Sequence, residues 1–255
     1  MDFQGFNMNT DTQALNSEQH GHLKKISTHH FSHIKTEQLV PINIHEFPAA
    51  GICFPLFFIK DKKSAQLFPI ALFGLIAKQN LYYSPQGWQA SYVPLAMQSW
   101  PFSMKVTDPE KKQWQVAADI NSAYLSDTEG EPLFTQGKPS ELLSTITKVL
   151  ISDAQQKSAT VKFIDFLMQQ DLIKAIKFEF GFSNGEKQQV DGVYAIDEDV
   201  LQNLKPEQVQ EMYQKDYFKA IYCMLSSQHN LYELIKRSQA NKGDKAIISV
   251  DIISG

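Results

Sequence analysis

The sequence predicts an α+β fold, with a β-rich N-terminal half followed by helices, a late β-hairpin and C-terminal helices. Three patterns predict it. Short apolar runs punctuated by proline fill the stretch from Phe47 to Met104. Helical spacing takes over after Ser140, and a strictly alternating segment ending in Asn184-Gly185 interrupts that spacing. The chain has 255 residues, with 43% hydrophobic and 20% charged side chains, which fits a folded soluble protein. Residues 1–30 carry few apolar anchors and are read as a mobile arm. Residues 31–237 are read as one domain, and 238–255 as a C-terminal extension.

Prolines 48, 55, 69, 85, 94 and 101 forbid one long helix through the apolar stretch. Strands are therefore expected at Phe54–Lys60, Phe68–Leu75 and Asn80–Tyr83, with Lys60–Lys63 a solvated hairpin tip and Ser84-Pro85-Gln86-Gly87 a turn. Lys112 to Ile120 reads as a further strand, and Asp127 to Gly137 as a loop. Ser140 is placed to cap a helix bearing Leu142, Leu143, Ile146, Val149 and Leu150 on one face. Val161, Ile164, Leu167 and Met168 either continue that helix or form its neighbour.

Ile176, Phe178, Phe180 and Phe182 alternate with Lys177, Glu179, Gly181 and Ser183, the period of a half-buried strand. Asn184-Gly185 then turns the chain, and the return strand is expected from Gln189 to Ile196. Two helices close the fold. The first starts at Pro206 with Val209 and Met212 facing inward. The second carries a longer stripe, Phe218, Ile221, Tyr222, Leu225, Tyr232 and Ile235. The apolar tail Ala246–Ile253 is expected to add a strand to the same sheet; lending that strand to a partner is the alternative.

Charge and chemistry exclude the easily recognised classes. Net charge is -4, and Arg237 is the only arginine among the 24 basic residues, which argues against nucleic acid as a partner. No apolar run reaches the length of a membrane span, and no basic leader precedes an apolar core, so a cytoplasmic protein without membrane insertion is expected. Cys53 and Cys223 sit in apolar runs and are read as buried free thiols. No phosphate-loop, dinucleotide, His-Glu-x-x-His, Cys-x-x-Cys or Gly-x-Ser-x-Gly signature occurs, and no cofactor is expected.

Two groups of residues remain as candidates. Phe47, Tyr82, Tyr83, Trp88, Tyr92 and Trp100 stand in the apolar stretch from Phe47 to Met104, all but Phe47 in its charge-free part from Gln79 to Met104; such rings line a cleft for a peptide or sugar, or else form ordinary core. His30, His33, His45 and Glu46, with His29, are the residue types of a metal site. His45-Glu46 is read either as an acid-base pair or as a polar cap before Phe47-Pro48. Asp119, Asp191 and the cluster Asp197, Glu198 and Asp199 are read as turn and helix-cap residues.

A resemblance rests on ordered motifs rather than on any single one. Val40-Pro41 through Glu46-Phe47-Pro48-Ala49-Ala50, then Phe54-Pro55 to Lys60-Asp61, open the series. Leu72-Phe73-Gly74-Leu75, Asn80-Leu81-Tyr82, Gly87-Trp88, Tyr92-Val93-Pro94 and Trp100-Pro101-Phe102 follow. Gly130-Glu131-Pro132-Leu133-Phe134, Gly137 with Pro139-Ser140, Asp191-Gly192-Val193-Tyr194 with Asp197-Glu198, and Leu225-Ser226 to Arg237 complete it. In this order they resemble the bacterial SapC family over roughly residues 33 to 237.

The resemblance implies an association with a surface layer by name. It also implies a neighbourhood of outer-membrane receptors, flavin halogenase-like enzymes and cupin-type hydroxylases. It brings no reaction and no catalytic residue. Gln98 and Ser99 stand where the family commonly has an Arg-Arg pair, so no anion-binding role is carried to them. The expected function is a non-catalytic binding or accessory protein that offers the aromatic segment to a protein or peptide. A metal-dependent enzyme using His45, Glu46 and another histidine is the alternative, and an envelope or surface-layer structural protein the second alternative. The oligomeric state is left open.

Overall fold

The computed structural model describes residues 12–26, 31–61, 64–108, 113–240 and 246–255. In chain order, counting strands of three or more residues, the elements begin with β1 (Thr12–Ala14), α1 (Ser17–His20), β2 (Leu39–Pro41) and α2 (Phe47–Cys53). They continue with β3 (Leu56–Lys60), β4 (Leu67–Leu72), α3 (Leu95–Gln98), β5 (Phe102–Asp108) and β6 (Gln113–Asp119). The long α4 (Glu141–Gln169) leads to the hairpin β7 (Ile173–Phe182) and β8 (Lys187–Ile196). Last come α5 (Glu198–Gln202), α6 (Pro206–Gln214), α7 (Tyr217–Ser227), α8 (Asn230–Ala240) and β9 (Ile247–Ser254). The fold is α+β.

Contacts divide the chain into two compact units. The first holds Ser32–Pro94 and Gln156–Gly255 and is built on a six-stranded sheet of order β9-β7-β8-β3-β4-β2. Leu56, Phe57, Phe58 and Ile59 of β3 are all buried, as an internal strand covered on both faces requires. β7 shows the expected alternation: Ile176, Phe178, Phe180 and Phe182 point inward. Gly185, at φ +85, supplies the left-handed turn that returns the chain into β8. The apolar tail forms β9 and pairs antiparallel with β7, Val250 opposite Phe180, so it becomes an edge strand of the chain's own sheet. Helices α7 and α8 pack on this sheet, with Ile221, Met224, Leu231 and Leu234 buried.

The second unit holds Leu95–Gln155 and the residues around β1. Its sheet has the order β1-β6-β5. Leu15, Leu23, Phe102, Val116, Ala118, Leu133, Leu143 and Leu150 make its core. Where sparse apolar anchors suggested a mobile arm, residues 12–26 carry β1, α1 and paired Lys24–Lys25, because Leu15 and Leu23 suffice to seat them in that core. Ser140 caps α4 as expected, its Oγ accepting from the Leu143 N–H at 3.2 Å. The stripe Val161–Met168 continues that same helix.

Three local expectations change. The segment Asn80–Tyr83 is strand only at Tyr83-Ser84, which pairs with Gly87-Trp88 around the predicted turn. The loop over 127–137 contains the short paired segments Glu131-Pro132 and Phe134-Thr135. Four helices rather than two close the fold: Asn230 begins a new helix while its side chain donates to the Gly51 carbonyl at 2.8 Å, and the short α5, capped by Asp197, precedes the other three. Among the described residues no helix is long and apolar enough to cross a membrane.

Candidate functional site

The aromatic segment folds inward. Phe54 sits at the centre, its ring 5.0 Å from Phe73, 4.9 Å from Tyr82 and 5.8 Å from Trp88. These edge and tilted geometries suit the ring quadrupoles. Arg237 lays its guanidinium 4.5 Å above Tyr82, held from the other side by Glu233 at 2.9 Å. The polar tips also turn inward. The Tyr82 hydroxyl donates to the Cys53 carbonyl, and the Trp88 indole N–H donates to the Tyr92 carbonyl, both at 2.8 Å. Burial pushes the Tyr82 phenol above its ordinary range, with Arg237 partly offsetting the effect.

His45 and Glu46, adjacent in sequence, face opposite ways. Glu46 is 4% exposed, and its two carboxylate oxygens accept from the Asn43 N–H and the Tyr92 hydroxyl, each at 2.8 Å. Charge-assisted bonds of this kind compensate the desolvation of a buried carboxylate. Burial, then the Glu46 charge and the hydrogen bond to it, raise the Tyr92 phenol. His45 is exposed, on the wall of a cavity of about 420 Å³ that also meets Lys162, Lys215 and Lys219.

The predicted contact residues thus divide. Phe47 is interior, packed edge-on against Phe163, and Tyr82 is interior as well, so neither offers a contact surface. Tyr83, Trp88 and Tyr92 are half-buried, and Trp88 and Tyr92 spend their polar atoms within the protein. Trp100 is half-buried and belongs to the second unit, where it precedes a cis peptide bond to Pro101. The physical reason is that the apolar residues between the prolines supply the first unit with its core.

The metal candidates do not converge. His29 and His30 lie outside the described residues. His33 is half-buried, and desolvation lowers its pKa to about 4. No group of three or more His, Cys, Asp or Glu among the described residues is arranged to hold a metal ion. Asp197 is a cap: its carboxylate accepts from the Asp199 N–H and pairs with Lys174, both at 3.1 Å. Cys53 and Cys223 are free, but only half-buried; the Cys53 sulfur lies 3.2 Å from the Ser91 hydroxyl.

A pair of exposed aromatic rings beside a groove lies elsewhere. Tyr222 on α7 and Tyr232 on α8 are 55% and 67% exposed. They flank a groove of about 590 Å³ that also meets Leu225, Leu231 and, on β9, Val250 and Ile252. Both tyrosines fall within the stripe expected to face inward; each lies on the shoulder of its helix, and buried Ile221 and Leu231 take the inner positions. A tyrosine on the shoulder of an apolar stripe is the only sequence signal for this groove. Val209, also expected inside, is 41% exposed, and Met212 alone anchors α6.

An α+β protein with a sealed aromatic core and an open tyrosine-flanked groove is the class these features define. The SapC family model matches residues 15–234, and the chain belongs to the SapC family. Comparison with curated proteins and with solved structures found no match in either.

Proposed function

We propose that this SapC-family chain is a binding or accessory protein that holds an extended peptide of a partner along the groove between α7, α8 and β9. The observation that carries this reading is the pair of exposed rings, Tyr222 and Tyr232, beside an edge strand. Tyrosine is favoured at protein contacts because it covers a large area with few rotatable bonds and keeps a polar tip. Among the described residues β9 pairs with β7 on one side only, and an added peptide strand would complete the ladder on the other. Leu225, Leu231 and Ile252 supply apolar contact for its side chains.

The test is selection from a displayed library of random peptides, followed by affinity measurement on the recovered sequences. Enriched peptides should lose at least about tenfold in affinity to the Tyr222→Ser/Tyr232→Ser variant, roughly 1.4 kcal/mol. Thermal stability should stay within about 0.5 kcal/mol of the parent, since both rings are exposed. No enrichment, or equal binding by the variant, overturns the reading.

A further inference from the structure

A different cavity of the first unit carries an inference that does not depend on the peptide groove. It measures about 420 Å³ and is lined by three lysines, Lys162 of α4, Lys215 and Lys219, against one acidic residue, Asp216. His45 closes one wall. That wall is tied to α4 by the Ile44 N–H, which donates to Thr160 Oγ1 at 2.9 Å. Tyr217 also lines the cavity, its ring 5.1 Å from Phe163 and 5.2 Å from Phe166. Lys215 is engaged in part, 3.6 Å from Glu211 and 5.9 Å above the Phe166 ring, so Lys162 and Lys219 carry most of the free charge. Lys162 and Lys219 have no ion pair among the described residues. The Asp216 side chain makes no capping bond to α7, so it does not occupy the amides that open there.

Three lysines against one carboxylate give this cavity a positive balance in a chain of net charge -4, which favours an anion there. The donors are lysines, which act as point charges suited to tetrahedral phosphate, whereas planar carboxylates are best matched by the arginine fork. The cavity falls at the small end of the roughly 300–1,000 Å³ range of small-molecule sites, too large for a bare ion. Ile44, Pro48 and Ala220 give it apolar surface beside the Tyr217 ring. We infer that this cavity binds the phosphate monoester of a small organic molecule, with the phosphate among Lys162, Lys215 and Lys219 and the organic body against Tyr217 and Pro48.

Phenyl phosphate is the direct probe, titrated calorimetrically against the full chain, with benzyl alcohol as the uncharged control. Phenyl phosphate should saturate one site below about 10 mM, and benzyl alcohol should bind at least about tenfold more weakly. Raising the salt should weaken the interaction. Lys162→Gln/Lys219→Gln should lose at least about tenfold in affinity with an unchanged melting temperature, and Lys187→Gln, outside the cavity, should bind as the parent does. Sedimentation with phosphatidylcholine vesicles that contain phosphatidate, but not with phosphatidylcholine alone, would place the phosphate on a lipid headgroup. Saturation by phenyl phosphate without such sedimentation would place it on a free ester. Absence of saturation, equal binding of benzyl alcohol, or undiminished binding by the double variant overturns the inference.

Discussion

The two aromatic regions of the first unit use the same residue types to opposite ends. Around Phe54 the rings are enclosed, and the hydroxyl of Tyr82 and the indole of Trp88 are satisfied by backbone carbonyls. On α7 and α8, Tyr222 and Tyr232 keep more than half of their surface in water. Aromatic density alone therefore does not distinguish core from contact surface. What separates the two is whether the fold provides a partner for the polar tip. Where it does, the ring can be sealed in at little polar cost; where it does not, the ring stays at the surface.

The largest effect should come from emptying the enclosed cluster. Phe54→Ala removes a fully buried ring that touches Phe73, Tyr82 and Trp88. Urea unfolding should show a loss of about 3–5 kcal/mol. Tyr232→Ala, the matched change on the open side, should cost less than about 0.5 kcal/mol. Similar losses at the two positions would break the contrast.

Next in size is the polar support of that core. Glu46→Ala removes the acceptor of both the Asn43 N–H and the Tyr92 hydroxyl at a buried position, with an expected cost of about 2–3 kcal/mol. Tyr92→Phe should cost about 1 kcal/mol, and a double-mutant cycle should show the two changes to be coupled. Independent, additive effects would mean that the Tyr92–Glu46 bond contributes nothing.

The strands and the hairpin were legible because their signals are local. The Phe178–Phe182 alternation and Asn184-Gly185 fix face and turn without reference to distant residues, and the Ala246–Ile253 run has the apolar character of a strand that joins a sheet. The seating of residues 12–26 was not legible, since two leucines among polar residues acquire meaning only once β6 exists to pair with. The fate of the aromatic segment was equally hidden. Nothing near Tyr82 in sequence announces that Cys53 and Arg237 will meet it, from 29 and 156 residues away for Cys53 and for the neighbouring Leu81 contact of Arg237 respectively. The lysine cavity joins residues of α4 and of the α6–α7 junction, with only the i, i+4 spacing of Lys215 and Lys219 visible beforehand.

Acid should expose a further difference between enclosed and open groups. The His33 imidazole is held neutral by burial down to about pH 4, whereas in the unfolded chain it takes up a proton near its ordinary value of 6.5. Between those limits the unfolded state binds the extra proton, so stability is fully present above pH 6.5 and falls as pH drops toward 4. Within that window this one group should lower the folding constant by up to about tenfold per pH unit. Urea midpoints at pH 7 and pH 4.5 should therefore separate less in His33→Asn than in the parent. An equal separation would show that His33 does not govern the acid limb.

The smallest expected effect lies where the enclosed cluster meets solvent. Arg237 covers the Tyr82 face and pairs with Glu233 one helical turn away. A planar guanidinium stacks on a ring and reaches a carboxylate at the same time, while an ammonium is more strongly hydrated and does either less well. Arg237→Lys should keep the charge and still lose about 0.5–1 kcal/mol in thermal or urea unfolding. In the Tyr82→Leu background the same change should cost less, because the ring that rewards planarity is gone. If the cost of Arg237→Lys is the same in both backgrounds, Arg237 acts through Glu233 and the Leu81 carbonyl, and the aromatic cluster ends at Tyr82 without a cationic lid.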